Sequence, residues 1–247
     1  MTDIQVETHL PKNVLVVMAH ADDIDFGVVG SAAHWRSQGA SVTYCIVTNN
    51  ASGSNDPNTN LEELITTRKE EQTAAAKIVG VETIYWLDYP DGYLEPNIEL
   101  RRDITRIIRT VRPDRVVTFD PELLISKRPG NYYINHPDHH AVGVATLYAT
   151  FPSAETRPIF PELLAEGLEP HKVIDLYFTL SHQADTIVNI TEHIHKKMDA
   201  LRCHKSQLNE DIVERVASWN AEAGEKYLGG GYGEIFRVIP LNRPEQD

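Results

Sequence analysis

Residues 13–18, Asn-Val-Leu-Val-Val-Met, are continuously apolar and rich in β-branched side chains. A strand with one solvated face alternates apolar and polar residues. An unbroken run reads instead as a strand buried on both faces, as in a parallel sheet covered by helices. The polar cluster 19–25 follows at once. Residues 26–38 then read as a helix in which Gly27, Gly30, Ala32 and Ala33 allow close approach to a sheet and Gly39 supplies a stop. A second strand at 42–48 completes a βαβ unit, whose crossover should be right-handed.

The alternation continues along the chain. The Asn-, Ser-, Gly- and Pro-rich stretch 49–60 is a loop, 61–79 a long helix ending at Gly80, and 83–87 a third strand running into the turn 88–93. Leu100, Ile104, Ile107, Ile108 and Val111 recur at helical spacing in 99–111, closed by Arg112-Pro113, and 115–119 is a fourth strand. Residues 120–138 read as irregular, 139–150 as helix, 151–169 as broken by prolines, 172–180 and 187–189 as strands, and 192–203 as helix. The stretch 209–239 mixes a helix with the glycine run 229–231. No internal repeat or dividing linker is visible. One domain over 1–247 is therefore expected, an α/β, Rossmann-like three-layer sandwich with a mainly parallel sheet. Such sheets place their chemistry at the carboxyl ends of the strands.

Charge and composition exclude several functions. With 23 Lys+Arg against 36 Asp+Glu the net charge is −13, which argues against a nucleic-acid binder that needs a basic patch. No apolar run approaches the ~20 residues of a membrane helix, and residues 1–12 lack a signal-peptide pattern, so a cytoplasmic protein is expected. Cys45 and Cys203 make no CxxC pair, which leaves neither a disulfide framework nor a cysteine zinc cage. Metal chemistry must draw on the 11 histidines and the surplus carboxylates.

Two polar clusters answer that description. His20-Ala-Asp-Asp23 follows the first strand and His136-Pro-Asp-His-His140 follows the fourth. Each has a structural account, with Asp22 or Asp23 capping the next helix and Asp138 capping a solvated helix start. Together they say more, because parallel strands can bring both into one crevice. A His/Asp/His set is what a catalytic zinc takes when it keeps a fourth position open, and His20 and Asp23 can share an approach direction across one helical turn. A dinucleotide site is discarded, since the turn after the first strand lacks glycines and its two carboxylates would repel pyrophosphate.

Ala19-His-Ala-Asp-Asp23 resembles the AHPDD motif, and His136-Pro-Asp-His139 the HPDH motif, of the LmbE/PIG-L family of zinc-dependent N-deacetylases. The similarity continues through Arg68-x-x-Glu71, through 87–94 and 112–121, and through Lys197 and His204-Lys-Ser-Gln207, covering nearly the whole chain. The resemblance implies a metal held by His20, Asp23 and His139, usually Zn2+, although Fe2+ or Mn2+ suits the same donors. It implies Asp22 as general base, His136 as general acid or electrophile, and Asp138 as the group that orients or tunes that imidazole. Amide hydrolysis needs these parts: a water activated at neutral pH, a proton acceptor, a donor to the departing amine and a partner for the oxyanion. A protonated His136 paired with the Asp138 carboxylate fits the donor role.

The resemblance further implies that Arg68 contacts substrate oxygens and Asp91 sugar hydroxyls. On the residues alone, Arg68 is more readily a solvated charge or an ion-pair partner for Glu71 or Asp120, and Asp91 equally a turn residue in Pro90-Asp-Gly92. His204 and Gln207 suit a core-supporting role at least as well as one in the site. Ala21 stands where the family motif has proline, which loosens the turn without removing a functional group. Tyr132 and Tyr133 are both candidates for a tyrosine that assists the oxyanion. His140 is read as a bystander or as a group supporting the ligands, because a helix start cannot aim adjacent side chains at one metal. The expected function is a metal-dependent hydrolase that removes the N-acetyl group from an N-acetylglucosamine-type sugar or glycoconjugate, with a small-molecule partner and neither nucleic acid nor membrane. An amidase for a larger thiol-sugar S-conjugate is the alternative, and a non-catalytic sugar- or metal-binding module a third reading. Homo-oligomers occur in such a family.

Overall fold

The computed structural model describes residues 4–128 and 130–243. The strands are β1 (Gln5–Val6), β2 (Asn13–Met18), β3 (Ser41–Thr48), β4 (Thr83–Tyr89), β5 (Arg115–Phe119), β6 (Ile125–Arg128), β7 (Asn131–Ile134), β8 (Asp175–Thr179), β9 (Thr186–Asn189) and β10 (Gly233–Pro240). Eight of them form one sheet in the order β1-β9-β10-β8-β5-β2-β3-β4. All its pairs are parallel except those of β10, which runs antiparallel to β8 and β9. The expected α/β sandwich with a mainly parallel sheet is therefore present. Val14 to Met18 on β2 are wholly buried, as the unbroken apolar run requires. Each such side chain contributes ~1.5–3 kcal/mol of burial, which makes β2 a main anchor of the core.

The helices are α1 (Asp23–Gly27), α2 (Val29–Ser37), α3 (Leu61–Ile78), α4 (Ile98–Val111), α5 (Pro137–Tyr148), α6 (Pro161–Ala165), α7 (Ile194–Leu201) and α8 (Glu210–Leu228). Asparagine starts three of them, since Asn60, Asn97 and Asn209 each accept a backbone N–H of the first turn. Three features differ from the sequence expectation. The helix expected over 26–38 begins earlier, at Asp23, and breaks at Val28 (φ −139°). Its second half is capped from a distance: Glu234 on β10 accepts the Gly30 and Ser31 N–H groups and the Ser31 hydroxyl, and Lys197 on α7 neutralises it at 2.6 Å. The lead-in supplies an edge strand, β1. The stretch 120–138, expected to be irregular, holds the antiparallel hairpin β6–β7 and the start of α5.

Candidate active site

Both clusters lie at carboxyl ends of adjacent strands. His20 stands two residues beyond β2, and α5 carries its histidines back over the end of β5. Gly143 permits that approach, for a Cβ there would sit 2.7 Å from the Phe119 carbonyl oxygen. The Phe119 ring in turn stacks on His139 with centroids 4.1 Å apart and planes within 7°.

Asp22 and Asp23 are not helix caps by side chain. Asp22 occupies the cap position of α1 at φ +94°, and its carboxylate makes no capping bond. Its N–H is held by Gln72 Oε1 at 3.0 Å, and Arg68 Nη2 lies 3.4 Å from its carboxylate. Burial and the adjacent Asp23 push the Asp22 pKa up to about 7, against the pull of Arg68. Asp23 folds back instead, and its Oδ2 accepts the His20 N–H at 2.7 Å. Its two oxygens divide between the clusters: Oδ2 lies 3.2 Å from His20 Nδ1, and Oδ1 3.2 Å from His139 Nε2. Although burial opposes it, the two imidazoles hold Asp23 ionised far below the ordinary carboxylate range.

The donor set fits a divalent cation. His20 faces Asp23 at one nitrogen and, at the other, Asp91 (3.0 Å) and Asp138 (3.2 Å). A neutral imidazole owns a single N–H and cannot serve carboxylates at both edges. Burial favours neutral His20, but Asp23 first, then Asp138 and Asp91, outweigh it and push its pKa up to about 12. A position that retains a proton so strongly favours positive charge, and His/carboxylate donors are those that bind such ions. Among the described residues, two donor groups have ligand atoms within 4.8 Å of one another: His20, His136 and His139, and His20, Asp91, His136 and Asp138. Asp23, outside both groups, lies against His20 and His139.

Asp138 orients His136, but not through its carboxylate. The Asp138 N–H donates to His136 Nδ1 at 3.1 Å, making His136 the cap of α5 in place of the expected Asp138. The fully buried carboxylate accepts the N–H groups of Gly92 and Leu94 and faces His20. Gly92, at φ +87°, turns the chain toward it. The imidazolium–carboxylate pair expected of His136 and Asp138 is therefore replaced: Nδ1 is an acceptor, so the ring is neutral with its proton on Nε2. Burial, with the charge of His20, also lowers the His136 pKa.

Arg68 and Asp91 are each only 5% exposed. Arg68 donates to the Ala21 carbonyl at 2.8 Å, and Asp91 accepts the Ser52 N–H at 2.9 Å. Both thus hold site residues from behind. His140 bonds the Pro121 carbonyl, away from Asp23, while Tyr132 is exposed and Tyr133 donates to Asn135. His204 bonds buried Asp25, which also accepts from Gln72, so it braces the segment beneath Asp22. Gln207 lies near Gly53 beside Arg68. Sequence reasoning missed Asn50, Gln72 and Asn135. Asn50, fully buried, accepts the Ala21 N–H at 2.6 Å, so the turn that alanine was expected to loosen is pinned by the N–H a proline lacks.

A parallel sheet that gathers imidazoles and carboxylates able to hold a metal at its strand ends defines the class, an α/β protein with a candidate metal centre. Comparison with known proteins then gives the family. The family model PIG-L, described as GlcNAc-PI de-N-acetylase, matches residues 15–150, and the chain belongs to this PIG-L (LmbE-like) family. It is 32% identical to the diacetylchitobiose deacetylase of Thermococcus kodakarensis over 93% of this chain and 84% of that protein. It is 29% identical to a probable N-acetyl-alpha-D-glucosaminyl L-malate deacetylase of Bacillus anthracis over 82% and 84% of the two chains. Among solved structures, the N,N'-diacetylchitobiose deacetylase of Pyrococcus horikoshii, complexed with an inhibitor, superimposes with a TM-score of 0.84 at 32% identity, covering 93% and 84%.

Proposed function

We propose that the chain is a metal-dependent N-deacetylase that hydrolyses the acetamide of N-acetylglucosamine-type sugars, their β-linked disaccharide or related glycoconjugates. The observation that carries this reading is Asp23, whose two oxygens each face an imidazole of a different cluster, while Asp22 beside it keeps its carboxylate free of both. We assign His20, Asp23 and His139 as ligands and Zn2+ as the ion, with Fe2+ or Mn2+ suited to the same donors. A bound divalent cation supplies Lewis acidity toward the amide carbonyl and lowers the pKa of water.

The chain's own residues do the rest. Asp22 takes a proton from the attacking water as its oxygen bonds to the amide carbon. His136, exposed and held neutral by the Asp138 N–H, offers Nε2–H to the developing oxyanion, the electrophile's task. A neutral imidazole is a poor acid, so Asp22 returns its proton to the departing nitrogen as the C–N bond breaks, leaving acetate and a free amine. Arg68 steadies Asp22 and Asp91 steadies His20, and contact of Arg68 with substrate oxygens and of Asp91 with sugar hydroxyls belongs to the same proposal.

The thiol-sugar S-conjugate amidase is not favoured, because the relatives and solved structure compared above are named deacetylases. We further infer that the chain works as one domain, in the cytoplasm. The main core runs from Val14 to Val238, and no helix among the described residues is long and apolar enough to cross a membrane. The test is acetate and free-amine release from N-acetylglucosamine, its β-linked disaccharide, the malate conjugate and a thiol-sugar conjugate, before and after chelation and zinc return. Turnover of the first three that follows zinc is expected; cleavage of the thiol-sugar conjugate alone would overturn the substrate reading.

A further inference from the structure

We infer that Asn135 is the positioning residue that selects the protonated nitrogen of His139 and aims the other nitrogen at the metal position. The inference rests on the assignment of His139 as a ligand. Asn135 follows β7, and its carboxamide is clamped at the donor end: Nδ2 donates to the Leu123 carbonyl at 2.9 Å, while its backbone N–H donates to the Leu124 carbonyl at 2.9 Å. Rotating the carboxamide end for end would set its oxygen against the Leu123 oxygen, so Oδ1 is the atom left for the opposite side.

There Oδ1 accepts from Tyr133 Oη at 3.1 Å and meets His139 Nδ1 at 3.3 Å. An acceptor facing Nδ1 requires that Nδ1 carry the hydrogen, which leaves the neutral ring with a bare lone pair at Nε2. Nε2 is the atom 3.2 Å from Asp23 Oδ1. Two lone-pair sites facing each other at that distance are repulsive unless a positive species joins them. Phe119, stacked flat on the ring, restricts its plane, so Asn135 and Phe119 together determine both the orientation and the tautomer of His139. Asn135 is 8% exposed and its anchors are carbonyls of the segment leading into β6. The β6–β7 hairpin is thereby tied to the metal position.

Removing the group that accepts the other N–H of a ligating histidine typically changes metal affinity by about 10–100-fold. The experiment uses the full chain loaded with zinc, nitrogen-15 NMR of labelled histidines, and zinc affinity by chelator competition for wild type, Asn135→Leu, Asn135→Asp and His139→Ala. Wild type should show His139 with hydrogen on Nδ1 and metal on Nε2. Asn135→Leu should bind zinc about 10–100-fold more weakly. Asn135→Asp keeps the acceptor toward His139 but sets its second oxygen against the Leu123 carbonyl, so it should keep hydrogen on Nδ1 in the spectrum while recovering only part of the affinity, a split that a merely structural role would not produce. Metal on Nδ1 in wild type, or Asn135→Leu affinity equal to wild type alongside a loss in His139→Ala, overturns the role of Asn135 alone. Undiminished zinc in His139→Ala overturns the ligand assignment and this inference with it. If Asn135→Leu does not fold, the wild-type spectrum decides.

Discussion

Asp22 holds a backbone conformation, φ +94°, that a residue with a side chain rarely adopts, at a cost of ~1–3 kcal/mol. No capping bond compensates, so what the strain achieves is to present beside Asp23 a carboxylate that meets Arg68 rather than the two imidazoles. Asp22→Asn should retain zinc by elemental analysis while kcat for acetate release falls ~10²–10⁴-fold, the range for loss of a general base. Asn50→Ala leaves the buried Ala21 N–H without its partner, costing ~1–3 kcal/mol. Its urea midpoint should drop and its kcat should fall with zinc content preserved, because the turn bearing Asp22 loses its pin. The motif residues His20, Asp23 and His139 were legible because imidazoles and carboxylates clustered after strands have few other uses. Asn50, Gln72 and Asn135 were not, because a carboxamide's meaning lies in which backbone groups the fold sets opposite it. Asn135 did stand directly before His136, and Asn50 in the loop after the second strand, but neither position distinguishes a brace from a turn residue.

At the scale of elements, periodicity and punctuation revealed most of the sheet. Strands β2, β3 and β5 and helices α3 and α4 appear within a residue or two of expectation, since unbroken apolar runs, helical spacing and the Gly80 and Arg112-Pro113 stops are local signals. The β6–β7 hairpin escaped notice because its strands are four residues each and its apolar residues Ile125 and Ile134 face solvent, so burial imposes no pattern. The break between α1 and α2 was hidden for a different reason: its compensation comes from Glu234, more than two hundred residues away in sequence. Lys197→Met should leave the Glu234 carboxylate buried without its cation, destabilising the protein by ~3–5 kcal/mol. The expected reading is a lower urea midpoint at an unchanged m-value.

For the whole molecule, the net charge of −13 gives no hint of chemistry, yet Asp23, Asp91 and Asp138 surround His20, with Asp22 next to Asp23, where a bound cation would offset them. Acid sensitivity has a separate source farther off. His171 is partly buried with Nε2 bonded to the Pro113 carbonyl at 2.7 Å, and burial holds its pKa below the ordinary value. The unfolded chain therefore takes up a proton before the folded one does. The stability from this group is present above the unfolded pKa of ~6.5 and is lost as pH falls through the lower folded value. Between about pH 7 and 5, the thermal midpoint should decline less steeply in His171→Asn than in wild type. Parallel declines would remove His171 as the cause.

The place of β10 also sets a timetable for synthesis. Among the described residues it is the strand latest in sequence, yet it lies inside the sheet, and β9 and the earlier-made β1 reach the remaining strands only through it. The Glu234 clamp on α2 arrives with the same segment. A nascent chain halted before Gly233 would already contain every residue of the candidate site, but the edge of the sheet and the start of α2 would still lack their partner. Completion of the sheet thus waits until residues 233–240 leave the ribosome, after every residue of the candidate site has been made.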